Sequence, residues 1–138
     1  MKIQFLEPGF AVADAVYPDD MREVKGQGFQ TIICNRRESE EDYEGERAYA
    51  EAAKAHGLEW VSIPVASGEY PQSDIEAFEK ALDTSASPIL AFCRTGRRAV
   101  HMWAQSRAMS PQCNIADLLT AAYEAGHDPQ PIKDLLGQ

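Results

Sequence analysis

Short apolar runs separated by amphipathic stretches set the plan of this chain. Thr31-Ile32-Ile33-Cys34, Trp60-Val61-Ser62-Ile63 and Ile89-Leu90-Ala91-Phe92 are brief and rich in β-branched or aromatic residues, which suits buried strands. Lys2–Leu6 and Phe10–Ala13 add two short strands broken by the turn pair Pro8-Gly9. Elsewhere the period becomes helical. Pro18-Asp19-Asp20 starts a helix that turns Met21 and Val24 inward and ends at Gly26 and Gly28. Arg47–His56 is alanine-rich, with Gly57 as its C-cap. Ser73 and Glu76 form a capping-box pattern before a face of Ile75, Phe78 and Leu82. Val100, Trp103 and Ala104 recur at helical spacing up to about Ala108. Asn114 then caps a stripe of Ile115, Leu118, Leu119, Ala122 and Tyr123, and Pro131–Leu136 is a short terminal helix.

Strands that alternate with helices predict an α/β fold with a mainly parallel central sheet of four to five strands flanked by helices. With no internal repeat and no linker, residues 1–138 read as one domain. In such sheets ligands bind outside the carboxyl ends of the strands. Asn35-Arg36, Val65–Glu69 and Cys93–Arg98 each follow a predicted strand, so all three belong on one edge of the sheet.

Chemistry concentrates in the third of these segments, Cys93-Arg94-Thr95-Gly96-Arg97-Arg98. A cysteine between a strand end and a helix start lies where backbone N–H groups and the helix dipole stabilise negative charge. Arg94, Arg97 and Arg98 add fixed positive charge, a setting that favours a thiolate. Six residues curled round an oxyanion can offer it several N–H groups, and Gly96 permits the positive φ of such a curl. Arg98 can make two parallel hydrogen bonds to the same anion. Cys93 is therefore the expected nucleophile and Arg98 the clamp, with Arg94, Thr95, Gly96 and Arg97 completing the anion site. This chemistry asks for no metal and no cofactor. Glu69 is the expected general acid, because Gly68 lets its loop bend over the pocket. Arg36 joins the anion-binding set because it follows a strand on the same edge.

Composition narrows the partners. The chain is 44% hydrophobic and 25% charged, with a net charge of −9. An acidic surface repels nucleic acid and anionic membranes, while the three arginines of the Cys93 loop set the local potential for a small anionic or phosphorylated substrate, the expected ligand. The sequence does not set the oligomeric state. Three cysteines at Cys34, Cys93 and Cys113 match neither a disulfide framework nor a metal site, as in a cytoplasmic protein with reduced thiols. The first residues lack the apolar core of a signal peptide, and no apolar run is long enough to span a bilayer. The acidic run Glu38–Glu46 reads as a solvated loop leading into a helix, with a mobile flap over the site as the alternative. Cys34 reads as a small core residue, Cys113 has no assigned role, and Trp60 and Trp103 read as core. His101 packs in the helix after the loop or tunes the thiolate.

Cys93-Arg94-Thr95-Gly96-Arg97-Arg98 resembles the loop of cysteine-dependent phosphatases. Thr31-Ile32-Ile33-Cys34-Asn35-Arg36, Ile63-Pro64-Val65 and Ile75-Glu76-Ala77-Phe78 extend the likeness to dual-specificity phosphatases. Over roughly Phe10–Leu136 the chain is more closely similar to the bacterial beta-lactamase-hydrolase-like, or DUF442, phosphatase-like domain family. That resemblance implies a three-layer phosphatase-like fold, Cys93 as nucleophile and Arg98 as phosphate clamp. Two departures stand out. Four residues separate Cys93 from Arg98 where phosphatases usually have five, a spacing shared with the rhodanese loop. Ala99 also stands where a hydroxyl residue commonly follows the arginine, with Thr95 as a partial substitute. Three readings follow. One is a phosphatase working through a phosphocysteine. Another is a rhodanese-like sulfurtransferase carrying a persulfide on Cys93. The last is a non-catalytic anion-binding module.

Overall fold

In the computed structural model, which describes residues 1–138, five strands form a single sheet. They are β1 (Ile3–Glu7), β2 (Phe10–Ala13), β3 (Thr31–Cys34), β4 (Glu59–Ser62) and β5 (Ile89–Phe92), in spatial order β1-β2-β5-β3-β4. β1 and β2 are an antiparallel pair, and β2, β5, β3 and β4 run parallel. The last strand in sequence is thus the middle strand in space. Ala91 of β5 pairs with Val12 on one side and Ile33 on the other.

Side chains alternate across the sheet, as the period of two requires. Ile89 and Ala91 join a core with α3 (Gln72–Thr84), α4 (Arg97–Ala108), α5 (Ile115–Glu124) and α6 (Gln130–Leu135). Leu90 and Phe92 join the opposite core, against α1 (Met21–Gly26) and α2 (Glu46–Ala55). The result is three layers, helices on both faces of a mostly parallel sheet. Pro18–Asp20 is a single 3-10 turn leading into α1. α4 is buried on most of its circumference, from Arg98 to Ala104 and again at Ser106. Its start, which follows the Cys93 loop, is therefore held rigidly against the sheet.

Two local expectations are corrected. Ser73 and Glu76 do not form a capping box. α3 begins at Gln72, with Pro71 as an N-cap that makes no side-chain bond. Pro71 O accepts from the N–H groups of both Asp74 and Ile75, so Ser73 already lies inside the first turn. The buried stripe of α5 is also narrower than expected. Leu118 and Ala122 are buried while Tyr123 is 70% exposed, because one further residue turns the side chain about 100° round the axis. Asn114 caps α5 as expected, its Oδ1 accepting from Asp117 N–H at 3.2 Å.

Candidate active site

Cys93 is the first residue beyond β5, and the strands on both sides help shape its loop. Arg94 O accepts from Ala15 N–H at 3.0 Å, which ties the loop to the end of β2. Gly96 turns the chain into α4 with φ +91°. A Cβ there would touch Ala13 O and the His127 ring at 3.4 Å, a close but ordinary contact, so glycine is called for by conformation. Gly96 N–H donates to Cys93 Sγ at 3.1 Å, and Arg97 N–H donates to Thr95 Oγ1 at 3.3 Å. The N–H groups of Arg94, Thr95, Arg98 and Ala99 find no acceptor within the chain. Together with the α4 N-terminus, they give the loop a set of donors suited to an oxyanion. Cys93 itself is 1% exposed, enclosed by its own loop.

Arg98 is fixed by three segments at once. Its Nη1 donates to Val65 O at 2.9 Å, to Asn35 O at 3.2 Å and to Glu40 Oε2 at 2.6 Å. Its Nη2 donates to Glu40 Oε1 at 2.8 Å. Glu40 therefore grips the guanidinium end-on, and no protein oxygen accepts from Nε. The side-on edge, Nε with the outer hydrogen of Nη2, is what Arg98 can present to an anion. The Glu40 hydrogen bond is the main reason that Arg98 holds its proton even more firmly than a free arginine, with burial opposing and the Cys93 sulfur adding to the effect.

Glu40 also accepts from Arg36 Nε at 3.1 Å and from Arg37 N–H. Burial opposes its ionisation. The hydrogen bonds from Arg98, Arg37 N–H and Arg36, with the charge of Arg98, outweigh that burial and pull the carboxyl down to about 2. Arg36 lies behind this carboxylate. It was expected in the anion site, but its side chain is 0% exposed. Nη2 donates to Glu41 O at 2.8 Å, and the guanidinium sits over the Tyr43 ring. Its Nη1 is buried without a partner, and Nε and Nη2 are committed, so Arg36 braces Glu40 from behind.

A cavity of about 430 Å³ opens on the loop, with Arg94, Thr95, Arg97 and Arg98 on one side. Arg37, Glu40, Ala66 and Ser67 form the other side. A smaller cavity of about 130 Å³ lies on the far flank, between Lys2, Asp14, Gly96 and His127, away from Arg98. Glu69 lines neither. Its N–H closes a turn onto Ala66 O at 3.0 Å and its side chain is exposed, while Ala66 and Ser67 of the same turn line the cavity. Glu69, the expected general acid, is not among the residues that line the cavity.

Sequence reasoning missed Glu40, which it left in a solvated acidic run. The one usable signal was the four-residue spacing from Arg36, typical of a charge pair. It also missed Tyr70, whose hydroxyl lies 2.9 Å from His101 Nδ1. Burial, then the charges of Arg97 and His127, push His101 down to about 4, so its ring is neutral near pH 7. Cys34 is a core residue as read. Burial raises its thiol to about 11, against smaller opposing effects from Tyr43 and Arg36. No helix is long and apolar enough to cross a membrane.

Residues 2–110 match the family model described as beta-lactamase hydrolase-like protein, phosphatase-like domain. A beta-lactamase hydrolase-like protein of Xylella fastidiosa is 26% identical over 129 residues. That alignment covers 93% of this chain but only 30% of the relative. Among solved structures, a candidate phosphatase from Neisseria meningitidis superposes with a TM-score of 0.84 at 25% identity, covering 99% of this chain and 96% of that one. Kinase-associated phosphatase, solved with its catalytic-site cysteine replaced by serine, gives a TM-score of 0.70 at 15% identity, covering 93% and 87%. This last likeness concerns the fold alone.

Proposed function

The chain belongs to the beta-lactamase hydrolase-like, phosphatase-like domain family, and from that premise we propose that it is a cysteine-dependent phosphatase. One observation carries the reading. Cys93 sits inside a loop whose N–H groups of Arg94, Thr95, Arg98 and Ala99 are uncommitted, beside an arginine held with its side-on edge open. Cys93 Sγ attacks phosphorus, an S–P bond forms, and the P–O bond to the leaving group breaks with its electron pair going to that oxygen. Water then cleaves the S–P bond, releasing orthophosphate and returning the sulfur as thiolate. The loop donors and the Arg98 edge are free to serve the three equatorial oxygens of the transition state, where charge is spread most widely. The Gly96 N–H on Sγ and the α4 N-terminus stabilise negative charge on sulfur in both steps.

Loop spacing favours a second reading. Four residues between Cys93 and Arg98 suit persulfide transfer, in which thiosulfate gives a sulfur atom to Cys93, sulfite leaves, and cyanide removes the sulfur as thiocyanate. A pair of assays separates the two. With an aryl phosphate, wild-type protein releases phosphate and Cys93→Ser does not. With thiosulfate and cyanide, no thiocyanate forms. Phosphate release that survives Cys93→Ser overturns the phosphatase reading, and thiocyanate formation that needs Cys93 establishes the second.

A further inference from the structure

The cavity over the loop has an unusual lining for a site that would hold one phosphate monoester. Four of its eight lining residues are arginines, in a chain whose net charge is −9. Arg98 is ion-paired with Glu40. Arg37, Arg94 and Arg97 form no ion pair and donate no side-chain hydrogen bond. All three are exposed, so each guanidinium is free to close on a ligand. Ala66 is the one apolar residue of the lining. Every other lining side chain ends in a charge or a hydroxyl, so the groups that face a ligand there are polar.

Proton supply points the same way. Glu40 is the one carboxyl group in the lining, and two arginines hold it ionised. It can neither give a proton to a leaving alkoxide nor leave Arg98 without cost. Ser67 and Thr95 hydroxyls are poor acids. A leaving group that departs unprotonated removes this difficulty. A phosphate monoester has a second pKa of about 6, so it leaves as a stable anion near neutral pH, unlike an alkoxide. It also brings a second cluster of acceptor oxygens to the free arginines.

From these two independent features we infer that the substrate class is an organic diphosphate, whose terminal phosphoryl group is transferred to Cys93. This rests on the phosphatase reading of Cys93 and specifies its substrate. The S–P bond forms at the terminal phosphorus, and the bridging P–O bond breaks. The electron pair goes to the bridging oxygen, which departs on the organic monophosphate while Arg37, Arg94 and Arg97 compensate its charge. Water then hydrolyses the phosphocysteine, and no co-reactant besides water is consumed.

Binding and turnover test the inference separately. Calorimetry on Cys93→Ser compares orthophosphate, pyrophosphate and tripolyphosphate. Pyrophosphate should bind about tenfold more tightly than orthophosphate or better, since each exposed charge contact contributes up to about a fivefold gain. In the background of Arg37→Ala, Arg94→Ala and Arg97→Ala, that gap should fall to about threefold or less. Circular dichroism checks that this surface variant is folded. In turnover, wild-type protein should release phosphate from methyl diphosphate with a kcat/KM at least about a hundredfold above that for methyl phosphate, in line with the usual worth of acid catalysis. An aryl phosphate serves as control for the nucleophile. If the aryl phosphate is cleaved through Cys93 but methyl diphosphate is not preferred, the diphosphate inference is overturned and the phosphatase reading stands. Equal affinities for orthophosphate and pyrophosphate, or a gap that survives the triple variant, also overturn it. If neither the aryl phosphate nor methyl diphosphate is cleaved, the phosphatase reading itself fails, and the diphosphate inference with it.

Discussion

Replacing Glu40 by glutamine removes the one negative charge that two buried arginines share. The side chains of Arg36 and Arg98 are 0% and 10% exposed, and that of Glu40 is 18% exposed, so solvent screens the cluster only weakly. Folding moves the Glu40 carboxyl from an ordinary 4.5 to about 2. That difference corresponds to about 3 kcal/mol of stability near neutral pH. Loss of one partner from a buried ion pair costs about 3–5 kcal/mol, which gives the same scale by another route. Glu40→Gln is therefore expected to lose about 3 kcal/mol at pH 7. The pH dependence carries a definite sign. Because the folded carboxyl is depressed, its contribution is complete above about 4.5, declines as the pH falls, and vanishes near about 2. Urea unfolding of both proteins at pH 7, 5, 4 and 3 measures the difference directly, and titrations common to both, including that of His101, cancel. A gap below about 1 kcal/mol at pH 7, or one that does not shrink between pH 5 and pH 3, would refute the reasoning.

Other perturbations probe separate parts of the account. Gly96→Ala forces a side chain into a positive φ, so it should cost about 1–2 kcal/mol in urea unfolding and lower phosphate affinity by calorimetry. Asn114→Ala removes the α5 cap and should cost about 1 kcal/mol with phosphate affinity unchanged. His101 is held down to about 4, so wild-type stability should fall as pH drops from about 6.5 towards about 4, while the unfolded chain takes up a proton that the folded one refuses. His101→Gln should flatten that part of the stability profile. Arg98→Lys keeps the charge but loses the forked geometry, and should reduce aryl phosphate turnover by about a hundredfold or more with a folded circular dichroism spectrum.

The sheet was legible because its strands are short, apolar and separated by segments of clear helical period. β3 and β5 were readable as Thr31–Cys34 and Ile89–Phe92 from local residues alone. The position of the Cys93 loop followed from strand ends and one glycine. What remained hidden depends on long-range partners. The four-residue spacing from Arg36 is the one local mark of Glu40, and the arginine it grips end-on lies 58 residues away. Arg36 carried the right charge on the right edge, yet its direction is set by Glu40, Glu41 O and Tyr43, none of which strand periodicity reveals. Glu69 was expected over the pocket because its loop follows β4. The turn onto Ala66 brings Ala66 and Ser67 to the cavity but leaves Glu69 out of its lining, and which residue of a turn faces a pocket is set by backbone conformation and not by charge.

The central claim is that Cys93 becomes covalently phosphorylated during turnover. Rapid acid quenching of wild-type protein with an aryl phosphate, followed by peptide mass spectrometry, tests it most directly. The account predicts one phosphoryl group on the peptide that carries Cys93, and none on the corresponding peptide of Cys93→Ser. Steady phosphate release with an unmodified Cys93 peptide, undiminished in the serine variant, would contradict it.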